Sequence, residues 1–402
     1  MYIIPRENIW GMSNPDDIHG FDKGYEAAVR RLKEANISER NRELITSFVK
    51  SSKKNGNKKS TYMNDLNIVL RMALFYNKDL DTITENDYDG LIDNLEAKGM
   101  VDYNYRKVTK KLFKLVTNND SPKWVREIHL PHKETPVQPS DLFTKAQLDK
   151  LLDACIQPRD KALVAVALDS TMRIGALGTL RIKGIEFNQH GALLYMSPTS
   201  QNLKTTKPKP VPLTWSTGFL NQWISVHPCK DDPEAPLWVN LTGKDKHKAM
   251  AYNTLRMTLA RIAESAGLKK RVFFHLFRHQ GVTDMILKGF NDQQIKFQAG
   301  WAPDSDRMLR IYGNFRDGDM VKSIYAKHGL RSEEDKPVTL KQCPRCHTVL
   351  VPEARMCHQC ALVLDAGLEK ELNVGQDQAQ KALLKMMESP EVRAMLKEMM
   401  NK

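Results

Sequence analysis

Residues 275–282 read HLFRHQGV, which places His275, Arg278 and His279 close together before the chain turns apolar. On a helix, residues three apart project from one side. His275 and Arg278 could therefore meet a single phosphate, the imidazole as a titratable base and the guanidinium as a permanently charged fork. His279, next in sequence to Arg278, points about 100° further round the helix and reads as a structural, hydrogen-bonding histidine. An HxxR pair alone does not separate a phosphate clamp from a solvent-facing ion-pair helix, so its meaning depends on its surroundings.

A second cluster is CPRCHTVLVPEARMCHQC, two CxxC pairs ten residues apart. This spacing lets the thiolates of Cys343, Cys346, Cys357 and Cys360 surround one tetrahedral Zn²⁺, as in a zinc ribbon. Four thiolates complete the shell, which leaves His347 and His358 as bystanders. So small a module depends on its metal for folding; the zinc is structural, and contact with DNA or protein is the service the module could give. Cys155 and Cys229 stand alone, so the cysteines do not form a disulfide framework, and a reducing cytoplasm is expected.

Lys and Arg number 61 against 48 Asp and Glu, a net charge of +13. That excess suits a polyanionic partner, although solubility alone would also account for it. In NYRKVTKKLFKLV, Lys107, Lys110, Lys111 and Lys114 line one helix face while Val108, Leu112, Leu115 and Val116 line another. With Lys53, Lys54, Lys58 and Lys59 in the same module, the stripe is either a DNA-phosphate contact or a solvated face. No membrane partner is expected: the longest aliphatic run is ALVAVAL, residues 162–168, and MYIIPRENIW lacks the basic-then-apolar order of a signal.

Around HLFRH lie STMRIGALGTLRIKGI, with Arg173 at the start of a small-residue helix, then LKTTKPKPVPL, AGWAPDSD and RIYGNF. Together these resemble the tyrosine recombinase, or phage integrase, family. Its catalytic set is an Arg, a β-hairpin Lys, HxxR, a His or Trp after Gly, and a Tyr. The elements occur here in the family's order, and the likeness covers about residues 41–330. It implies Arg173, His275, Arg278, Trp301 and Tyr312 as site residues. The hairpin lysine maps best to Lys204, with Lys207 and Lys209 as alternatives. The resemblance further implies a covalent 3′-phosphotyrosine at Tyr312, which stores phosphodiester energy rather than releasing it to water. Arg173 and Arg278 would clamp the nonbridging oxygens, His275 would act as base, Lys204 would protonate the leaving 5′ oxygen, and Trp301 would donate its indole N–H or pack the site. Neither a catalytic metal nor ATP is implied. Two departures stand out: Ala176 occupies a position that is commonly Glu, and the Trp301–Tyr312 interval is about two residues longer than usual, which keeps Tyr325 in SIYAKHG as an alternative nucleophile.

The elements that must hold these residues make a mainly α fold with a small antiparallel β-sheet. Residues 1–40 read as an N-terminal arm containing the helix YEAAVRRLKEA. Residues 41–130 read as a helical, SAM-like core-binding domain that contacts DNA, with Leu44, Ile45, Phe48 and Val49 on one face and Leu66, Val69, Leu70, Ala73 and Leu74 on the next. Thr84 with Asp87 caps a third helix running to Gly99. PHKETPVQPS opens a proline-rich linker over 131–141. The α+β catalytic domain follows over 142–330: Thr144 and Gln147 form a capping box, IEFNQ, GALLYMS and KPVPL form the sheet, and helices return from Tyr252. Residues 340–364 are the ribbon. The tail, 365–402, carries apolar faces at Ala379, Leu383, Met386 and Met387 and at Val392, Met395, Leu396 and Met399, which either fold back or dock on a neighbouring protomer. This arrangement is most similar to archaeal integrases of proviruses and plasmids. The expected activity is strand transfer at double-stranded DNA attachment sites, by a homo-tetramer on synapsed DNA that is a monomer or dimer when free. A non-catalytic DNA-binding regulator and a relaxing topoisomerase are the other readings.

Overall fold

A computed structural model describes residues 17–130, 137, 139–188, 190–196 and 209–305, and beyond them scattered residues that include 321, 324–325, 328–330, 343, 350 and 354–365. The chain forms two compact units, Met1–Pro136 and Val137–Lys402.

The first unit is helical, with α1 (Phe21–Glu34), α2 (Glu39–Lys54), α3 (Lys59–Tyr76), α4 (Glu85–Ala97), α5 (Tyr103–Val116) and the short α6 (Lys123–Glu127). Side chains set the helix starts. Ser38 accepts a hydrogen bond from the Asn41 amide at the head of α2, and Thr84 with Asp87 forms the expected capping box of α4. One core gathers Ile45, Phe48, Leu66, Val69, Met72, Leu91 and Leu112. Ala28 and Leu32 of α1 belong to it too, so the helix within residues 1–40 is part of this unit's core rather than of a separate arm. Leu74 departs from the expected stripe: it is 50% exposed, because eight helical residues carry it about 80° round from Leu66, to the edge of the buried face.

The second unit opens with α7 (Lys145–Asp153), where Thr144 and Gln147 make the expected capping box. Next come α8 (Pro158–Ser170), α9 (Ile174–Leu177), the strands β1 (Ile185–Asn188), β2 (Gly191–Leu194) and β3 (Val211–Leu213), then α10 (Thr217–Ser225), α11 (Tyr252–Ser265), α12 (Phe274–Leu287) and α13 (Asp292–Ala299). The run ALVAVAL lies on α8 and is buried along its whole length. A helix apolar all round is an interior helix, and α8 packs against α7, α10, α12 and β3. The sheet is antiparallel in the order β1-β2-β3, with Ile185 opposite Leu194 and Ala192 opposite Leu213. The mainly α fold with one small sheet is the expected one. No helix among the described residues is long and apolar enough to cross a membrane.

Candidate active site

HLFRHQGV lies in α12, and its three nitrogen side chains have different surroundings. His275 is exposed, whereas Arg278 is only 3% exposed. Arg278 Nη1 donates to the Thr171 carbonyl at 2.8 Å, and the guanidinium carbon stands 5.2 Å from the centroid of the Trp301 ring. Trp301 follows α13 after Gly300, which caps the helix at φ 64° in the left-handed region that glycine adopts without strain. The indole packs with Val282, Ile295 and Ala299. Arg278 and Trp301 are thus brought together, and Arg278 is tied to the residue two before Arg173. Arg173 itself is the N-cap of α9.

The turn that carries Arg173 is held through its main chain. Thr171 ends α8 at φ 53°, a left-handed conformation that a β-branched residue rarely adopts and that persists only when neighbours enforce it. Its carbonyl takes the Arg278 bond, while the Leu177 carbonyl at the far end of α9 accepts from Trp238 Nε1 at 2.8 Å. Ala176, the position noted for lacking an acid, is buried against this frame. The close approach of α12 to α8 needs Gly281. A β-carbon there would sit 2.5 Å from the Leu168 carbonyl oxygen and 2.7 Å from Thr171 Cγ2.

A second brace was not anticipated from the sequence. Asp169, near the end of α8, accepts hydrogen bonds from the amides and hydroxyls of both Thr214 and Ser216, at 2.7–3.1 Å. Burial pushes its carboxyl pKa up, and these four donors oppose that shift. Gln298 of α13 donates through Nε2 to the carbonyls of Asp169 and Pro212, both at 3.0 Å. The pair joins α8, β3 and the helix that precedes Trp301. A carboxylate directly after the aliphatic run ALVAVAL, and a glycine inside HLFRHQGV, were the signals available for these residues.

His279 is 4% exposed, and its ring meets that of His275 edge to face, with centroids 4.6 Å apart. Burial first, and the charge of Arg278 second, lower its pKa from 6.5 to about 4. It is a neutral scaffold for the exposed His275. Gln280 accepts from the Phe143 amide at 2.7 Å, and Lys270 donates to the carbonyls of Asp141 and Leu142, so the start of the second unit is fastened beside α12.

Lys204, Lys207 and Tyr312 lie outside the described residues, as do Cys346, His347 and most of the tail. Lys209 is described: its ammonium stands 4.3 Å from the Phe297 ring centroid on α13, and burial lowers its pKa. Tyr325 is 54% exposed. The sulfurs of Cys343, Cys357 and Cys360 lie within 4.8 Å of one another, with Cys343 and Cys357 buried. In the helical unit, Lys110 donates to the carbonyls of Arg126 and Ile128, both at 2.8 Å, and Lys111 pairs with buried Asp65 at 2.8 Å. Lys107 and Lys114 are exposed. The stripe therefore divides into two lysines that hold the fold and two that face outward.

Residues 141–318 match the phage integrase family. This segment is a phage integrase domain. Site-specific recombination by a tyrosine nucleophile is the activity of that family, and the chain is a site-specific tyrosine recombinase. Three solved structures share the recombinase fold at low identity. A lambda integrase tetramer bound to a Holliday junction is 14% identical with a TM-score of 0.54, over 68% of this chain and 78% of that one. The Tn1549 transposon integrase in complex with circular intermediate DNA is 14% identical with a TM-score of 0.52, over 70% and 98%. The XerH recombinase in a post-cleavage complex with palindromic difH is 16% identical with a TM-score of 0.50, over 79% and 98%. No curated protein sequence matches the chain.

Two outcomes follow for the recombinase. Gly281→Ala forces α12 away from α8 and carries Arg278 off the Thr171 carbonyl; single-turnover DNA cleavage is expected to fall by about 10²-fold, as for a displacement of about 1 Å, while gel-shift affinity for DNA is kept. The second concerns pH. His279 is depressed in the folded state, so between pH 6.5 and about 4 the unfolded chain binds the proton and the folded one does not. Stability is therefore lost as pH falls through this window, by on the order of 3 kcal/mol at its lower end. Urea denaturation at pH 7 and pH 5 is expected to show this loss in the parent and a smaller one in His279→Gln.

Proposed function

We propose that this recombinase cleaves and rejoins double-stranded DNA at attachment sites of a mobile element, integrating or excising it or resolving DNA, through a 3′-phosphotyrosine. The observation that carries this is the buried Arg278, held by the Thr171 carbonyl and the Trp301 ring on the helix that exposes His275. Arg173 and Arg278 neutralise the charge that develops on the nonbridging oxygens in the pentacoordinate transition state, where a planar fork fits better than an ammonium. His275 takes the phenol proton as Tyr312 forms its bond to phosphorus. The bond from phosphorus to the 5′ oxygen breaks, and that oxygen takes its proton from a hairpin lysine. Lys204 is the assigned donor. Lys207 and Lys209 are the alternatives, and the lowered pKa of Lys209 would ease proton release at neutral pH. Attack by a 5′ hydroxyl of a partner strand reverses these steps and releases Tyr312 with the new strand joined.

The DNA-bound complexes of the similar structures, one of them a tetramer on a Holliday junction, support a homo-tetramer on synapsed DNA. The helical unit and tail fit an enzyme of the kind found in archaeal proviruses and plasmids, acting on DNA in the cytoplasm. Cys343, Cys346, Cys357 and Cys360 hold a structural zinc ion. The convergence of three sulfurs, two of the cysteines being buried, supports this. The metal contributes folding energy to the ribbon and takes no part in strand transfer.

A nicked suicide duplex incubated with the full chain is expected to yield a covalent protein–DNA adduct on a denaturing gel, and Tyr312→Phe is expected to abolish it. An adduct that persists in Tyr312→Phe and disappears in Tyr325→Phe would reassign the nucleophile. No adduct with any chain would leave a DNA-binding regulator. For the ribbon, a thiol-blocking reagent is expected to release one equivalent of zinc, and Cys360→Ala to expose residues 340–364 to proteolysis; a metal-free chain with a protease-resistant ribbon would refute the zinc assignment.

A further inference from the structure

Two adjoining hollows of about 420 Å³ and about 240 Å³ open on the helical unit and share Asp65 of α3. Carboxamides recur in their walls: Asn55, Asn57, Asn118 and Asn119 line the larger, and Asn64 and Asn104 the smaller. All six are exposed. Lys107 and Lys114 stand among them, and Asp65, the one acidic residue lining either hollow among the described residues, is neutralised by Lys111.

This chemistry narrows the occupant. Small-molecule sites are mainly apolar with a few polar groups, and protein interfaces are centred on aromatic anchors. The smaller hollow, walled by Ser60, Thr61, Asn64, Asp65, Asn104 and Lys107 with Val108, fits neither description; the larger adds Phe48 and Leu115 to a lining of amides, hydroxyls and ammonium groups. Asn55 ends α2, Asn57 donates to Ser52, and Asn118 and Asn119 hold left-handed turn positions; phosphate contact needs cations and gives the two that remain, Asn64 and Asn104, no task. Base edges do, because Asn offers a donor and an acceptor in one plane and pairs bidentately with adenine N6 and N7 in the major groove. Asn64 on α3 and Asn104 on α5 are the best placed to read bases. Each sits on a helix, which fixes it more firmly than a loop would, and among the described residues no side chain hydrogen-bonds either one. Lys107 is one turn beyond Asn104 on α5, where an ammonium can take an adjacent phosphate and set the register without reading sequence.

We propose that the trough between α3 and α5 is a sequence-reading surface in which Asn64 and Asn104 recognise adenine-containing base pairs of the attachment site while Lys107 and Lys114 hold neighbouring phosphates. The proposal rests on the reading of the chain as a DNA recombinase. It goes further by naming the base and the side chains that select it.

The test uses the full chain and a duplex pool with a randomised central segment, selected by gel shift and sequenced at several salt concentrations. The parent is expected to enrich A·T pairs at discrete positions. Asn64→Ala and Asn104→Ala are each expected to erase enrichment at their own position, by about 5- to 100-fold in preference, with non-specific affinity unchanged. Lys107→Ala and Lys114→Ala are expected to weaken all sequences alike and to flatten the salt dependence. Asn64→Gln and Asn104→Gln, with matching circular dichroism and melting curves, separate chemistry from folding and are expected to retain part of the preference. Unchanged selected positions in both Asn→Ala variants, or a parent that enriches no A·T position, overturns the proposal and leaves the recombinase reading standing. A parent without DNA affinity overturns that reading itself.

Discussion

A guanidinium buried to 3% exposure is tolerated only where its hydrogen bonds and its charge are answered locally. Arg278 meets part of that demand through the Thr171 carbonyl and the face of Trp301, and much of the second unit follows from it. The bond fixes where α12 crosses the end of α8, which in turn sets the turn into Arg173. Because arginine stays protonated at any accessible pH, the site keeps a constant positive charge. Burial first, and repulsion by this charge second, keep His279 neutral, while His275, one helical turn earlier, is exposed.

The chemistry of this site was more legible in the sequence than its support. HLFRH on a helix, Arg173 ahead of a small-residue helix, the Gly300-Trp301 step and the three strands all come from short stretches whose residue types act locally. Asp169, Gln298 and the left-handed Thr171 have no such signature, since their roles arise from contacts between segments far apart in sequence. Periodicity also misplaced Leu74, because a helical stripe drifts and its edge is decided by which neighbour covers it.

The lysines of α5 show the same limit in the helical unit. Spacing puts Lys107, Lys110, Lys111 and Lys114 on one face, yet Lys110 satisfies the carbonyls of Arg126 and Ile128 around the end of α6, and Lys111 answers the buried Asp65. Carbonyls at a helix end need donors, and a carboxylate near a core needs a cation. Charge patterning gives the sign of a face, whereas the demands of nearby buried groups decide which charges remain available to a partner.

Many of the contacts that position the site end on main-chain oxygens: those of Asp169, Thr171, Leu177 and Pro212 as acceptors, with the Leu168 oxygen setting the clearance at Gly281. A carbonyl is supplied by any residue, so the side chains at Leu177 and Pro212 can drift over evolutionary time without moving the geometry. The few donors, the Asp169 carboxylate and one glycine carry the constraint instead. An architecture braced in this way can keep its shape while most of its letters change, consistent with a fold shared at 14–16% identity.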